Sequence, residues 1–310
     1  MHPHDEPATP WAQPPFTAGQ RPQDLLDALG RRGYLADEGL ATAAYLSVRM
    51  GKPLFLEGAP GTGKTELAKM LAAITGGRLI RLQCFEGIDV AQAAYEWDYA
   101  RQLLHLRASE TAGLVGGAVD SLETELYDQR FLLRRPLLAA LDATEGPPPV
   151  LLIDEIDRAD DEFEALLLEV LSDWAISIPE VGTVRATRPP LVVITSNRTR
   201  DVHDALKRRC IYHWLEHPTR EREAAIIAAR VPEAADLIVE QVAATVAAMR
   251  ELGLYKPPGV SESIDWAVAL TMMGCQSLDE RNLAATLGAV VKYHEDRDRV
   301  LETLTLPIGP

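Results

Sequence analysis

Cysteine is scarce: Cys84, Cys210 and Cys275 are the only three in 310 residues, far apart and odd in number. With no C-x-x-C pair, neither a disulfide framework nor a cysteine metal site is indicated, and small buried thiols in a reducing compartment are expected. No apolar run approaches the ~18 residues needed to span a bilayer. The amino terminus lacks the basic-then-apolar order of a leader, so a soluble cytoplasmic protein without membrane insertion is expected. Positive charge is short too. Against 46 Asp and Glu stand 31 Lys and Arg, a formal net charge of −15, which repels phosphate backbones at long range. The basic clusters Arg134–Arg135 and Lys207–Arg209 are brief, so no nucleic acid partner is expected. An N-K-x-D run, which would read guanine, is missing as well.

What is present is ordinary globular material, 47% hydrophobic and 25% charged. The length favours two domains with the larger first. Only residues 1–21, rich in Pro and His, look unable to bury a core, and they predict a disordered tail. Helices are expected over Pro22–Gly30, Asp37–Met50, Glu66–Ile74, Phe131–Leu141, Asp161–Trp174 and Asp201–Arg209. Strands are expected at Pro53–Glu57, Arg78–Gln83, Val150–Ile153 and Leu191–Thr195, with a hairpin over Ala175–Ala186. Apolar runs without alternation, each followed by a helix, predict an α/β fold with a parallel sheet covered on both faces. Beyond about Glu216 strands stop, and Arg220–Arg230, Ala234–Leu252, Ser261–Met273 and Asp279–Asp296 read as helices. The expected layout is an α/β domain over 22–216 and a small all-helical domain over 217–310.

Four constellations carry chemistry. Gly58, Ala59, Pro60, Gly61, Thr62, Gly63, Lys64 and Thr65 complete G-x-x-x-x-G-K-[ST] between a strand and a helix that opens with Glu66. Such a loop turns successive N–H groups inward as an anion nest and aims a helix N-terminus at the same phosphates. Lys64 is expected on the β/γ oxygens of ATP, and the Thr65 hydroxyl on Mg²⁺. Val150-Leu-Leu-Ile-Asp154-Glu155 delivers an acidic pair to a strand's carboxyl end, where open α/β sheets bind ligands. Asp154 is expected to hold Mg²⁺, and Glu155 to polarise the attacking water. A third apolar strand ends at Asn197, suited either to orient that water or to make a turn. Last, Lys207-Arg208-Arg209 ends a short helix. Cations there can simply complement the helix dipole, or supply an arginine finger to a neighbouring subunit.

This order of motifs resembles the AAA+ ATPases, with a P-loop NTPase base domain and a helical lid. Within them the chain is similar to the MoxR family and its CoxD-type branch, associated with carbon monoxide dehydrogenase maturation. The resemblance rests on Asp154-Glu-Ile-Asp-Arg158-Ala, Ser172–Ala186, Arg81-Leu-Gln-Cys-Phe-Glu-Gly-Ile-Asp-Val and Asp204-Ala-Leu-Lys-Arg-Arg-Cys-Ile-Tyr-His-Trp. It implies that Glu155, Asn197 and Arg209 are catalytic, with Arg208 as the neighbour able to substitute. Arg158 then sits where a subunit-interface arginine or a turn cation is expected. The resemblance further implies a homo-oligomeric, hexameric ring, a partner with a von Willebrand factor A domain, and a client metalloenzyme of the molybdenum hydroxylase type.

Two features stand apart from the pattern. A lid arginine facing the phosphates is expected at the start of a lid helix, yet Pro258-Gly-Val-Ser-Glu262-Ser263 has none, leaving Lys256 as a stand-in. Lys64 and Asp154 lie 90 positions apart, which leaves room for an insert. Its aromatics Tyr95, Trp97 and Tyr99 either face a ring's pore or pack on the sheet. Two other functions compete with the ATP-driven chaperone: a nucleotide-dependent adaptor that switches without sustained turnover, and a nucleic-acid motor. His213, Trp214 and Trp266 are expected to pack between base and lid.

Overall fold

The computed structural model describes residues 21–111 and 125–304. The tail at 1–20 and much of the insert's expected helix around 110–128 lie outside them. Helix α1 (Pro22–Gly30) and α2 (Glu38–Met50) precede strand β1 (Leu54–Gly58). The glycine-rich loop leads into α3 (Lys64–Thr75), then β2 (Leu79–Gln83), α4 (Val90–Ala93), β3 (Tyr95–Trp97) and α5 (Tyr99–Thr111). After β4 (Leu132–Arg134) and α6 (Pro136–Leu141) come β5 (Val150–Asp154), α7 (Asp161–Asp173) and the hairpin β6 (Ala175–Ile178) and β7 (Gly182–Arg185). Strand β8 (Leu191–Ser196), α8 (Asp204–Lys207) and β9 (Ile211–Leu215) complete the strands. Five helices follow: α9 (Arg220–Arg230), α10 (Asp236–Glu251), α11 (Val260–Met272), α12 (Glu280–Val290) and α13 (His294–Thr303).

The main sheet has the order β2-β5-β8-β1-β9, every pair parallel. Its central strands are apolar on both sides because helices cover both faces. Phe55, Leu151, Ile153, Val192 and Ile194 point into one core. Leu54, Leu56, Val150, Leu152, Leu191 and Val193 alternate into the other, against α1, α2 and α3. The helical segment after β9 has a third core of its own, built around Ile227, Val242, Trp266 and Leu287. No helix among the described residues is long and apolar enough to cross a membrane.

Three expectations need correction. Phe131–Leu141 is not one helix: Leu132–Arg134 pairs antiparallel with β3, and the helix begins at Pro136. Proline has no N–H and a fixed φ, so it opens a helix rather than continuing one. Cys210-Ile-Tyr-His-Trp contains a sheet strand the pattern did not reveal, because Tyr212 and Trp214 are exposed on an edge. Asp279–Asp296 divides in two, since Val291 is extended (φ −107°, ψ 131°) and Lys292 Nζ caps the Gly288 and Ala289 carbonyls.

Candidate active site

All five parallel strands release their carboxyl ends on one edge, which brings three of the sequence motifs together. Gly63, in the left-handed region at φ +90°, caps α3, whose first residues are Lys64 and Thr65. With no side-chain cap there, the first N–H groups of α3 stay available to an anion. Lys64 is buried and folds back on its own loop, its Nζ donating to the Gly58 carbonyl at 2.8 Å and the Ala59 carbonyl at 2.7 Å. Burial pulls its pKa down to about 8, against the attraction of Asp157, Asp154 and Glu155.

Asp154 is the hub. Its Oδ1 accepts from the Thr65 hydroxyl at 3.0 Å and the Thr195 hydroxyl at 2.6 Å, while Oδ2 accepts from Arg81 Nε at 2.9 Å. Glu155 turns the chain in the left-handed region (φ 57°), a conformation uncommon outside glycine. Its N–H is held there by Thr195 Oγ1 at 2.9 Å. The Glu155 carboxylate accepts from Gln83 at 3.0 Å and pairs with Arg158 Nε at 3.2 Å. Arg158 therefore has an intrachain partner.

The loop after β8 is clamped to the loop after β5. Asp157 is buried and accepts from the Asn197 N–H at 3.1 Å, the Thr199 N–H at 2.8 Å and the Thr199 hydroxyl at 2.6 Å. Burial would raise its pKa, but these donors override it and hold the carboxyl below the ordinary range.

Pro60, Gly61, Thr62, Gly63, Lys64, Thr65 and Glu66 face Asp154, Glu155, Thr195 and Asn197 across a cavity of about 290 Å³. The Thr65 hydroxyl and Asp154 carboxylate are hard oxygen donors directed at each other, a pair suited to Mg²⁺. Adjoining this cavity, and sharing Gly61, Thr62, Gly63, Glu66 and Ser261 with it, lies a larger one of about 730 Å³. Tyr34, Leu35, His213, His217 and Arg222 are among its walls. Its size suits a nucleoside beside a phosphate site. Sequence reasoning missed this cavity: beyond the glycine-rich loop its walls come from the α1–α2 loop, β9, α9 and the start of α11, where no nucleotide-binding motif points to them. Thr195 was also missed, although it stands two residues before Asn197.

Other expected residues lie elsewhere. Arg208 and Arg209 are exposed and line neither cavity. Lys256 is exposed too and lines neither cavity, its backbone N–H donating to Asp296 at 3.1 Å. The helical segment does bring cations near: Arg230 stands 3.4 Å from Glu66, and Arg222 lines the larger cavity. The insert aromatics divide: Trp97 is buried with Tyr127 edge-on at 5.3 Å, whereas Tyr99 is exposed. Trp266 is sealed inside the helical core, donating to Thr286 at 2.7 Å, so it does not pack between the sheet and the helical segment as expected. Trp214, exposed beneath Arg198, is a wall of the larger cavity. His213 lines the larger cavity.

Residues 53–210 match the protein family described as AAA domain, dynein-related subfamily. The chloroplastic ATP-dependent zinc metalloprotease FTSH 2 of Oryza sativa subsp. japonica is 26% identical over 84% of this chain. The chain spans only 36% of that protein. Among solved structures, the RuvB Holliday junction branch migration motor of Thermotoga maritima is 18% identical, covering 86% of this chain and 66% of its own, with a TM-score of 0.44. A putative ATPase from Cytophaga hutchinsonii is 13% identical, covering 90% and 84%, with a TM-score of 0.43.

Proposed function

Since this chain belongs to the AAA domain family and is an AAA+ ATPase, we propose that it uses Mg-ATP to remodel or mature a client protein. The phosphates lie in the loop Gly58–Thr65, with Lys64 released from the Gly58 and Ala59 carbonyls to meet them. Thr65 and Asp154 would hold Mg²⁺, which when bound would supply charge neutralisation for the transferring phosphoryl group. Glu155 takes a proton from the attacking water once freed from Gln83 and Arg158, and Asn197 orients that water from across the cavity. The observation that carries this reading is the convergence of Asp154, Glu155, Thr195 and Asn197 on one cavity beneath the glycine-rich loop.

The finer reading is a MoxR-type ring chaperone in the cytoplasm, hexameric, working with a von Willebrand factor A domain protein on a metalloenzyme of the molybdenum hydroxylase type. Support for the ring comes from the exposed Arg208 and Arg209, which line neither cavity of their own subunit and so suit a neighbour's site. The test is steady-state ATPase activity against protein concentration for wild type, Glu155→Gln, Arg209→Ala and an equal mixture of the two variants. Each variant alone is expected to lose about 10³-fold or more in rate, as loss of an arginine finger does. The mixture is expected to regain activity, because sites pairing an intact Glu155 with a neighbour's Arg209 form only there. Full activity in Arg209→Ala, with rate linear in concentration, would overturn the ring.

A further inference from the structure

The helical segment touches the phosphate loop backbone to backbone. The turn Pro258–Gly259 leads into α11, and the Val260 N–H donates to the Gly61 carbonyl at 3.0 Å. Gly61 itself is left-handed (φ +76°). A Cβ on Gly259 would stand 2.7 Å from the Pro60 carbonyl oxygen and 2.8 Å from the Gly61 Cα. Neither neighbour is a flexible side-chain tip, so no methyl group fits. The reason for glycine is space alone, since its φ of −86° and ψ of 179° suit any residue.

The turn is braced from behind. Arg250 donates from Nε to the Pro258 carbonyl at 2.8 Å and pairs with the fully buried Glu223 at 2.6 Å. Glu262 accepts from the Gly259 N–H at 3.1 Å. Ser261, directly after Val260, is the one described residue after β9 that lines the phosphate cavity. A shift of the phosphate loop therefore has a rigid element to push, and the reverse also holds.

We propose that Gly259 and the Val260 N–H are positioning groups for the phosphate loop, acting through this backbone seam. This rests on the ATP-site reading above. Affinity for ATP then depends on a surface that touches no phosphate, because the loop's nest is held in shape from the lid side.

The test uses the full chain and the fluorescent analogue mant-ATP. Gly259→Ala adds the methyl group that the seam has no room for. Val260→Pro removes the N–H at the first position of α11, where a helix tolerates proline. Gly288→Ala places the same methyl group on α12, with nothing within 4 Å, as the control. Hydrogen exchange over residues 259–263 is read with and without ATPγS. Both seam variants are expected to bind mant-ATP about ten-fold more weakly, in line with overpacking at a tight contact, and Gly288→Ala to bind as wild type. Exchange at 259–263 in the wild type is expected to change with ATPγS. Wild-type affinity in both seam variants would overturn the seam while leaving the ATP site standing. Failure of the wild type itself to bind mant-ATP would instead overturn the ATP-site reading and the seam with it.

Discussion

At the residue scale, Asp157 is a buried carboxylate that ties two loops of the site together. It accepts three hydrogen bonds from Asn197 and Thr199, and its carboxyl is held below the ordinary aspartate range. A depressed native pKa means the folded state binds fewer protons than the unfolded one below about pH 4. The stabilisation is therefore complete above the ordinary aspartate pKa and is lost as pH falls through the lower native value. Asp157→Asn is expected to destabilise the protein at pH 7 by about 1–3 kcal/mol, the range for weakened buried hydrogen bonds. The gap between variant and wild type should narrow towards pH 3, read from urea midpoints at both values. An unchanged gap would show that ionised Asp157 is not what holds the two loops together.

Among the elements, β9 shows how a motif residue can serve the sheet before it serves a ligand. Gly58 ends β1 opposite Leu215 of β9, and a Cβ there would stand 2.2 Å from the Leu215 carbonyl oxygen. Such a contact cannot be relieved by a rotamer change, since both partners are backbone. Gly58→Ala is expected to displace β9 and lower stability by about 1–3 kcal/mol, as overpacking does. The loss should appear in thermal melts without any nucleotide present. A melting temperature equal to that of wild type would mean that Gly58 is needed only by the phosphates. The edge position of β9 also explains why its sequence gave no strand signal: Tyr212 and Trp214 face outward, and only Leu215 is fully sheltered.

For the whole molecule, the separation of cores decides how damage spreads. The helical segment buries its own cluster, and inside it Arg250 and Glu223 form an ion pair of which Glu223 is completely enclosed. Removing one partner leaves the other charge buried without compensation, which costs about 3–5 kcal/mol. Arg250→Met is expected to lose that amount from the helical segment first. Amide protection over 220–304 should fall while that of β1, β5 and β8 persists. Equal loss in the sheet would mean that the two parts unfold as one unit.

The parallel sheet was readable in advance because its central strands are continuous apolar runs. The same holds for Gly58–Thr65 and Asp154–Glu155, whose chemistry depends on neighbours in sequence and on the strand that precedes them. Pro136 is a local signal for a helix start, and it separates the short strand Leu132–Arg134 from the helix that follows. Other features depended on residues far apart in the chain. Thr195 reaches Asp154 across neighbouring strands, Gln83 and Arg158 close on Glu155, and Gly259 meets Gly61 only after the helical segment has folded back. The larger cavity is likewise walled by segments far apart in the chain, the α1–α2 loop, the glycine-rich loop, β9, α9 and the start of α11. Spacing and periodicity encode what a segment does with its own backbone. Which distant surfaces come within 3 Å of each other is set by how the helices pack on the sheet, and that only the tertiary structure decided.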